Sequence, residues 1–215
     1  QLGNMRANTP LFVASSSFQI GHFEQQGSPF AMPVGSASFT TQIAEWLGLR
    51  GPRYSFSNAC VSGFSAIDAA RTLIAAGLID EAFVLGVELT NASTLAGFAA
   101  MELLSPDGCR PFDARRNGLV LGEAVAAVRL SATPSHWKII GQANGLDGYS
   151  TTGPDPEGGP IARIMADCLH AARLAAVPAA ERTHHECAAI GQRVDVLGRR
   201  EAADRRDVAD RRAVG

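Results

Sequence analysis

The chain has 215 residues, 46% of them hydrophobic, and its 19 basic and 21 acidic side chains give a net charge of −2. That balance excludes a nucleic-acid footprint and a membrane-surface patch, and the length supplies one sizeable core and part of a second. The four cysteines, Cys60, Cys109, Cys168 and Cys187, form no Cys-x-x-Cys pair, and no apolar run approaches the roughly 18 residues of a membrane span, so a reducing, cytoplasmic compartment is expected.

In chain order, Leu11 to Ala14 reads as a strand, Ser36 to Leu47 as a helix that Gly48 closes, and Tyr54 to Ser57 as a second strand. From Ser62 to Ala76, residues Phe64, Ile67, Arg71 and Ile74 recur at helical spacing, and Gly77 stands where the helix stops. Apolar residues on its other faces predict a helix buried in the middle of a domain. Ala82 to Val87 is a continuous apolar run between Asp80 and Glu88, the pattern of a strand buried on both faces. Thr94 to Leu104 follows as a helix, Leu119 to Leu130 as an apolar β-leaning segment interrupted at Gly122-Glu123, Trp137 to Ala143 as a strand, and Pro160 to Leu174 as a helix. This alternation predicts an α/β fold with a mixed, mostly parallel sheet flanked by helices. From Ala179 onward the periodicity fails, and eight of the eighteen arginines fall in the last 34 residues, so residues 179–215 are expected to form a poorly ordered charged tail.

The candidate for chemistry is Cys60, in Ser57-Asn58-Ala59-Cys60-Val61-Ser62-Gly63, at the joint between the second strand and the helix from Ser62. A free cysteine is most often a small apolar filler. Here helix N–H groups and the positive end of the macrodipole lie beside the sulfur, which favours thiolate and can hold an adjacent oxyanion. Cys60 therefore reads as a nucleophile, with Asn58 and Gly63 as structural residues of its turn. Glu88 reads as a structural hydrogen-bond acceptor, Arg110 and Asp113 as a charge pair fixing a loop, and Glu123 as a further structural carboxylate. His184-His185-Glu186-Cys187 has ligand types without helical i, i+4 spacing or a second ligand pair, so no metal is expected.

Three blocks then form an ordered set: the Cys60 heptapeptide; Gly97-Phe98-Ala99-Ala100-Met101-Glu102-Leu103-Leu104-Ser105; and Cys109-Arg110-Pro111-Phe112-Asp113 followed by Gly118-Leu119-Val120-Leu121-Gly122-Glu123. In this order and at these separations, residues 51–131 resemble the N-terminal half of a β-ketoacyl-ACP synthase of the elongating type, in the thiolase-like superfamily. The likeness extends more weakly before Gly51 and through Pro154 to Gly158.

The resemblance implies a thiolase-like layered α/β core, one half plus the beginning of the second: residues 1–131 as the N-terminal-type domain with its first strand missing, 132–178 as the start of the C-terminal-type half, and the charged tail. It implies that Cys60 takes an acyl group from acyl carrier protein and gives it to the carbanion made by decarboxylating malonyl-ACP, a decarboxylating Claisen condensation. The Cys60 N–H would be one of two oxyanion donors, Phe98 would stand beside the acyl tunnel, and Met101, on the next helical turn, would line the same wall. Substrates would arrive on the phosphopantetheine of acyl carrier protein, with no further cofactor. Partners would be that carrier and a second synthase subunit, as homodimer or heterodimer, paired through the strand at Tyr54 to Ser57.

The sequence departs from the family in two places. Ala124 and Ala126 stand where glycine is more frequent. The family's two C-terminal histidines, one in a His-Gly-Thr motif, its nearby lysine and its Gly/Phe-rich loop have no counterpart, since none of His22, His136, His170, His184 and His185 precedes Gly-Thr. After Leu174 the chain leaves the pattern, as a shifted reading frame or an unrelated tail would produce. The expectation is a nucleophile-bearing synthase half whose condensation cycle is incomplete; the alternative is a non-catalytic, chain-length-setting partner or an inactive remnant. An intact Cys60 favours the first.

Overall fold

The computed structural model describes residues 5–25, 36–135, 137–150, 153–173, 185–190 and 193–199. His136, Leu174, His184 and much of the charged tail, on which sequence expectations fall, lie outside the described residues. The chain divides into two compact units, Gln1–Ala132 and Thr133–Gly215.

The first unit runs β1 (Leu11–Ala14), α1 (Ile20–Gln25), α2 (Ser36–Trp46), β2 (Arg53–Phe56), α3 (Ser62–Ala75), β3 (Glu81–Glu88), α4 (Ala92–Ala100) and β4 (Ala124–Ser131). Its sheet has the order β2-β1-β3-β4; β1 pairs in parallel with β2 and β3, and β4 runs antiparallel to β3. All four residues of β1 are buried. Their side chains alternate between two cores: Leu11 and Val13 pack with Ile43, Ala44, Leu49 and Phe83, while Phe12 and Ala14 pack with Ala66, Ala70, Ala82 and Val84. Helices α2 and α3 thus cover opposite faces of one strand, and each large apolar side chain buried there contributes about 1.5–3 kcal/mol. Phe12 also stacks on Tyr54 of β2, ring centroids 4.6 Å apart.

Helix ends follow one device. After α2 and α3, Gly48 and Gly77 adopt φ +68° and +69°. The N–H groups of the glycine and the next residue then bond back to helix carbonyls, at 3.1 and 2.8 Å after α2 and at 3.0 Å twice after α3. Helix α4 ends the same way with a non-glycine residue: Glu102 takes φ +57°, its N–H donates to the Ala99 carbonyl at 3.0 Å, and Leu103 N–H donates to the Phe98 carbonyl at 3.1 Å. This corrects the expected helix through Leu104, because a left-handed residue at position 102 closes it at Ala100.

Helix α3 also differs from expectation. Only Ser62, Ala66 and Ala70 are buried, and its other residues are partly or fully exposed, so one stripe rather than the whole circumference is covered within this chain. β4 forms despite Ala124 and Ala126, which pair with Glu88 and Gly86; apart from half-buried Leu130 it is exposed throughout, Val125 and Val128 included.

In the second unit, β5 (Trp137–Asn144) pairs antiparallel with β7 (Arg193–Arg199), which pairs antiparallel with β6 (His185–Ile190), while α5 (Gly159–Ala171) packs on β5 through Ile164 and Cys168. A Cβ at Gly141 would lie 2.5 Å from the Cys168 carbonyl, so only glycine permits this approach. The β6–β7 hairpin lies in the segment whose charge predicts poor order. Averaged composition hid its short apolar stretch, Cys187 to Ile190, and the alternating Val194-Asp195-Val196.

Buried Glu81, at the start of β3, binds the N-terminal segment to the sheet edge. Its Oε1 accepts from Arg6 Nε (2.8 Å) and Thr9 Oγ1 (2.6 Å), and its Oε2 from Arg129 Nη2 (2.5 Å) on β4. Hydrogen bonds from Arg6, Thr9 and Arg129 outweigh burial and hold its pKa at about 2, below the ordinary 4.5. A depressed carboxylate pKa stabilises the fold above the unfolded value, and that contribution is lost as pH falls from about 4.5 through about 2. In urea unfolding across that window, stability is expected to fall more steeply for the native chain than for Glu81→Gln, which does not titrate there; parallel curves would contradict this role.

Candidate active site

Parallel pairing brings the carboxyl ends of β1, β2 and β3 to one edge of the sheet, where open α/β sheets present their binding crevices. The β1 strand exits into Ser15-Ser16-Ser17-Phe18. Ser15 Oγ accepts from the N–H groups of Ser17 (3.2 Å) and Phe18 (2.7 Å), folding the loop on itself, and Ser15 N–H donates to the Phe56 carbonyl at the end of β2 (3.1 Å). Glu88, at the end of β3, holds the loop from the other side: Oε2 accepts from Ser16 N–H (2.9 Å) and Ser16 Oγ (2.7 Å), and Oε1 from Ser17 Oγ. Partial burial raises the Glu88 pKa, but the bonds from Ser17 and Ser16 outweigh it, so the carboxyl lies below its ordinary value. Glu88 is thus seated as a structural acceptor.

Cys60 stands on the turn between β2 and α3, exposed to solvent. Ala59 before it has φ +46°, a left-handed backbone that costs a residue with a Cβ about 1–2 kcal/mol. Ser62, at the first position of α3 and only 4% exposed, spans this turn: its Oγ accepts from Asn58 N–H at 2.7 Å and donates to the Ala59 carbonyl at 2.7 Å. Asn58 Nδ2 reaches Ser65 Oγ at 3.3 Å, and its carbonyl accepts from Val61 N–H at 3.1 Å. The Cys60 N–H donates to no described group. A Cβ at Gly63 would meet nothing within 4 Å, so space is open beside the helix start. An exposed thiol beside an undonated amide at the head of a 14-residue helix is equipped to attack a carbonyl carbon and to hold the resulting oxyanion.

The other expected residues fall into two groups. Phe98, half-buried, lies in α4, whereas Met101 is the exposed C-cap of that helix and not a residue of a further turn. Glu123 Oε1 accepts from Thr90 N–H at 2.6 Å, and bonds from Thr90 lower its pKa; it joins the segment after β3 to the approach of β4. Arg110 and Asp113 are not the expected charge pair. Arg110 meets Asp113 through the backbone, its carbonyl accepting Asp113 N–H at 3.3 Å, and the carboxylate bonds Arg115 N–H at 2.7 Å and the Arg115 guanidinium at 3.4 Å. A two-residue reach lets Arg115 fold back onto Asp113. This loop is closed by pairing of Leu104 with Leu119, where a Cβ at Gly118 would lie 2.6 Å from Ser105 N.

Sequence reasoning missed two residues. Ser62 was visible only as part of the heptapeptide. Glu24, in α1, carries no local signal, yet it caps the start of α4 across 68 residues: Oε2 accepts from Ala92 N–H and Oε1 from Ser93 N–H, each at 2.7 Å, beside the cap by Asn91 Oδ1 on Thr94 N–H. A carboxylate there also complements the helix dipole.

Residues 5–135 match the family model for the β-ketoacyl synthase N-terminal domain. Nodulation protein E from a Rhizobium species is 35% identical over 155 residues, 68% of this chain and 37% of that protein. The 3-oxoacyl acyl-carrier-protein synthase 2 of Staphylococcus aureus is 29% identical over 171 residues, 69% of this chain and 42% of that protein. The ketosynthase ApeO of Xenorhabdus doucetiae, solved in complex with its chain length factor ApeC, superposes with a TM-score of 0.70 at 25% identity, over 78% of this chain and 45% of that one. The chain thus spans 37–45% of the length of these three proteins.

Replacing Glu24 by Ala is expected to speed amide hydrogen exchange at Ala92 and Ser93 while leaving β1 amides unchanged; unaltered exchange at both positions would show that α4 does not depend on this cap.

Proposed function

Because the chain belongs to the β-ketoacyl synthase family through its N-terminal domain, we propose that Cys60 is an acyl-accepting nucleophile and that the chain carries the acyl-loading half of a decarboxylating Claisen condensation. The observation that carries the proposal is the exposed Cys60 at the amino end of α3 with its N–H undonated. In the loading step the Cys60 sulfur attacks the carbonyl carbon of a carrier-bound acyl thioester. The Cys60 N–H holds the oxyanion, the bond from the carbonyl carbon to the carrier sulfur breaks, and the carrier thiol leaves with the proton that Cys60 gave up. In the condensation, malonyl thioester loses carbon dioxide and its carbanion attacks the acyl-Cys60 carbonyl, freeing the sulfur.

The second step draws on groups this sequence lacks, the paired histidines and the lysine of the family. Loading without condensation is therefore the activity proposed for the chain itself. Phe98 is proposed to border the acyl chain from α4. The carrier is proposed to be an acyl carrier protein, the compartment the cytoplasm, and the second subunit a related synthase or chain length factor. The ApeO–ApeC pairing favours such a subunit, as does the edge position of β2, whose exposed Tyr54 leaves room for another strand. A non-catalytic, chain-length-setting role is the second reading; the exposed Cys60 weighs against it.

Intact-mass measurement after incubation with acyl-loaded carrier protein tests the proposal. The native chain is expected to gain one acyl group, Cys60→Ala none, and malonyl carrier is expected to yield no β-ketoacyl product. A folded chain that gains no acyl group, or a Cys60→Ala variant labelled as fully as the native chain, would overturn it.

A further inference from the structure

The geometry points to Ser62 as a positioning residue for the acyl-transfer step, acting through the Cys60 amide and not on the substrate itself. This inference rests on the reading of Cys60 as the acyl acceptor. Three observations carry it. Ala59 holds φ +46° although it has a Cβ, so something must keep the Ala59–Cys60 peptide in an orientation that its own backbone disfavours. The Ser62 hydroxyl is bonded on both sides of that peptide, accepting from Asn58 N–H and donating to the Ala59 carbonyl, both at 2.7 Å; the Ala59 carbonyl also takes Ser62 N–H at 3.2 Å. The Ser62 side chain is buried in the stripe that packs α3 on the sheet, so its hydroxyl is anchored to the rigid part of the fold.

The consequence follows from peptide planarity. The Ala59 carbonyl and the Cys60 N–H belong to one rigid unit and point in opposite directions. Drawing the carbonyl inward to Ser62 turns the N–H outward, where it donates to no described group. Ser62 therefore sets the direction of an oxyanion donor, while the sulfur, on the far side of the Cys60 α-carbon, keeps its exposure without help from Ser62. A merely structural serine would affect every reaction of the thiol alike. The positioning role affects only reactions that pass through an oxyanion.

Two reactions of Cys60 separate these cases. Transfer of a hexanoyl group from its N-acetylcysteamine thioester forms a tetrahedral oxyanion before the thiol leaves. Alkylation by iodoacetamide displaces iodide at a saturated carbon and forms none. In Ser62→Ala the acyl-transfer rate is expected to fall about tenfold or more, the scale of a misdirected catalytic donor, while the alkylation rate stays within about twofold of the native chain. Ser62→Thr, which keeps the hydroxyl, is expected to restore acyl transfer.

Should Ser62→Ala lose its helical circular dichroism, Ala59→Gly/Ser62→Ala replaces it, since glycine accepts the left-handed backbone unaided; acyl transfer is still expected about fivefold or more below native, with alkylation unchanged. Native acyl transfer together with equal acyl transfer in the hydroxyl-free variants would overturn the role of Ser62 alone, as would a parallel fall in both reactions. A folded native chain that alkylates at Cys60 but accepts no acyl group would overturn the reading of Cys60, and the inference with it.

Discussion

The arrangement of the first unit depends on the burial of β1 on both of its faces. Leu11 to Ala14 supply apolar side chains in both directions, so the strand is satisfied only between α2 and α3 and between two parallel neighbours. With β1 seated, the exits of β1, β2 and β3 are fixed side by side. That edge carries the serine loop, the Cys60 turn and Glu88, residues 16, 60 and 88, which are far apart in sequence.

Polar groups at this edge do structural work with unusual completeness. Glu88 gathers the serine loop, Glu123 takes the Thr90 amide, and Glu24 caps α4. Hydrogen bonds to the ionised form lower the pKa of all three, so these carboxylates remain charged acceptors near neutral pH and are poorly suited to donate a proton. Reactive character falls instead on Cys60, whose amide and sulfur face solvent. The described residues thus separate a set of positioning carboxylates from one nucleophile, which fits a unit that receives an acyl group and relies on other groups for the carbon–carbon bond.

Much of this was legible in the sequence, for identifiable reasons. β1, β3 and the cores around α2 and α3 follow from apolar runs and from Gly48 and Gly77, because glycine advertises a left-handed helix end. The ends of α4 and α5 were not legible, since Glu102 and Arg173 adopt φ +57° without being glycine. Cys60 was readable from its place between a strand and a helix. Ser62 was not, because a serine hydroxyl shows its partners only once the turn is closed. Long-range acceptors such as Glu24 and Glu81 leave no periodic trace. The Arg110–Asp113 pairing failed because the nearer Arg115 reaches the same carboxylate with both its amide and its guanidinium.

The account stands on Cys60 being a freely accessible thiol of a folded protein whose core is intact. Alkylation rates of individual cysteines, read by peptide mass across a urea series, test this most directly. Cys60 is expected to react at a rate that is independent of urea below the unfolding transition, since it is exposed in the native fold. Cys168, buried against β5, is expected to react only through opening, at a rate that rises with urea. A Cys60 as protected as Cys168, or a Cys168 as reactive as Cys60 in the absence of urea, would contradict the account.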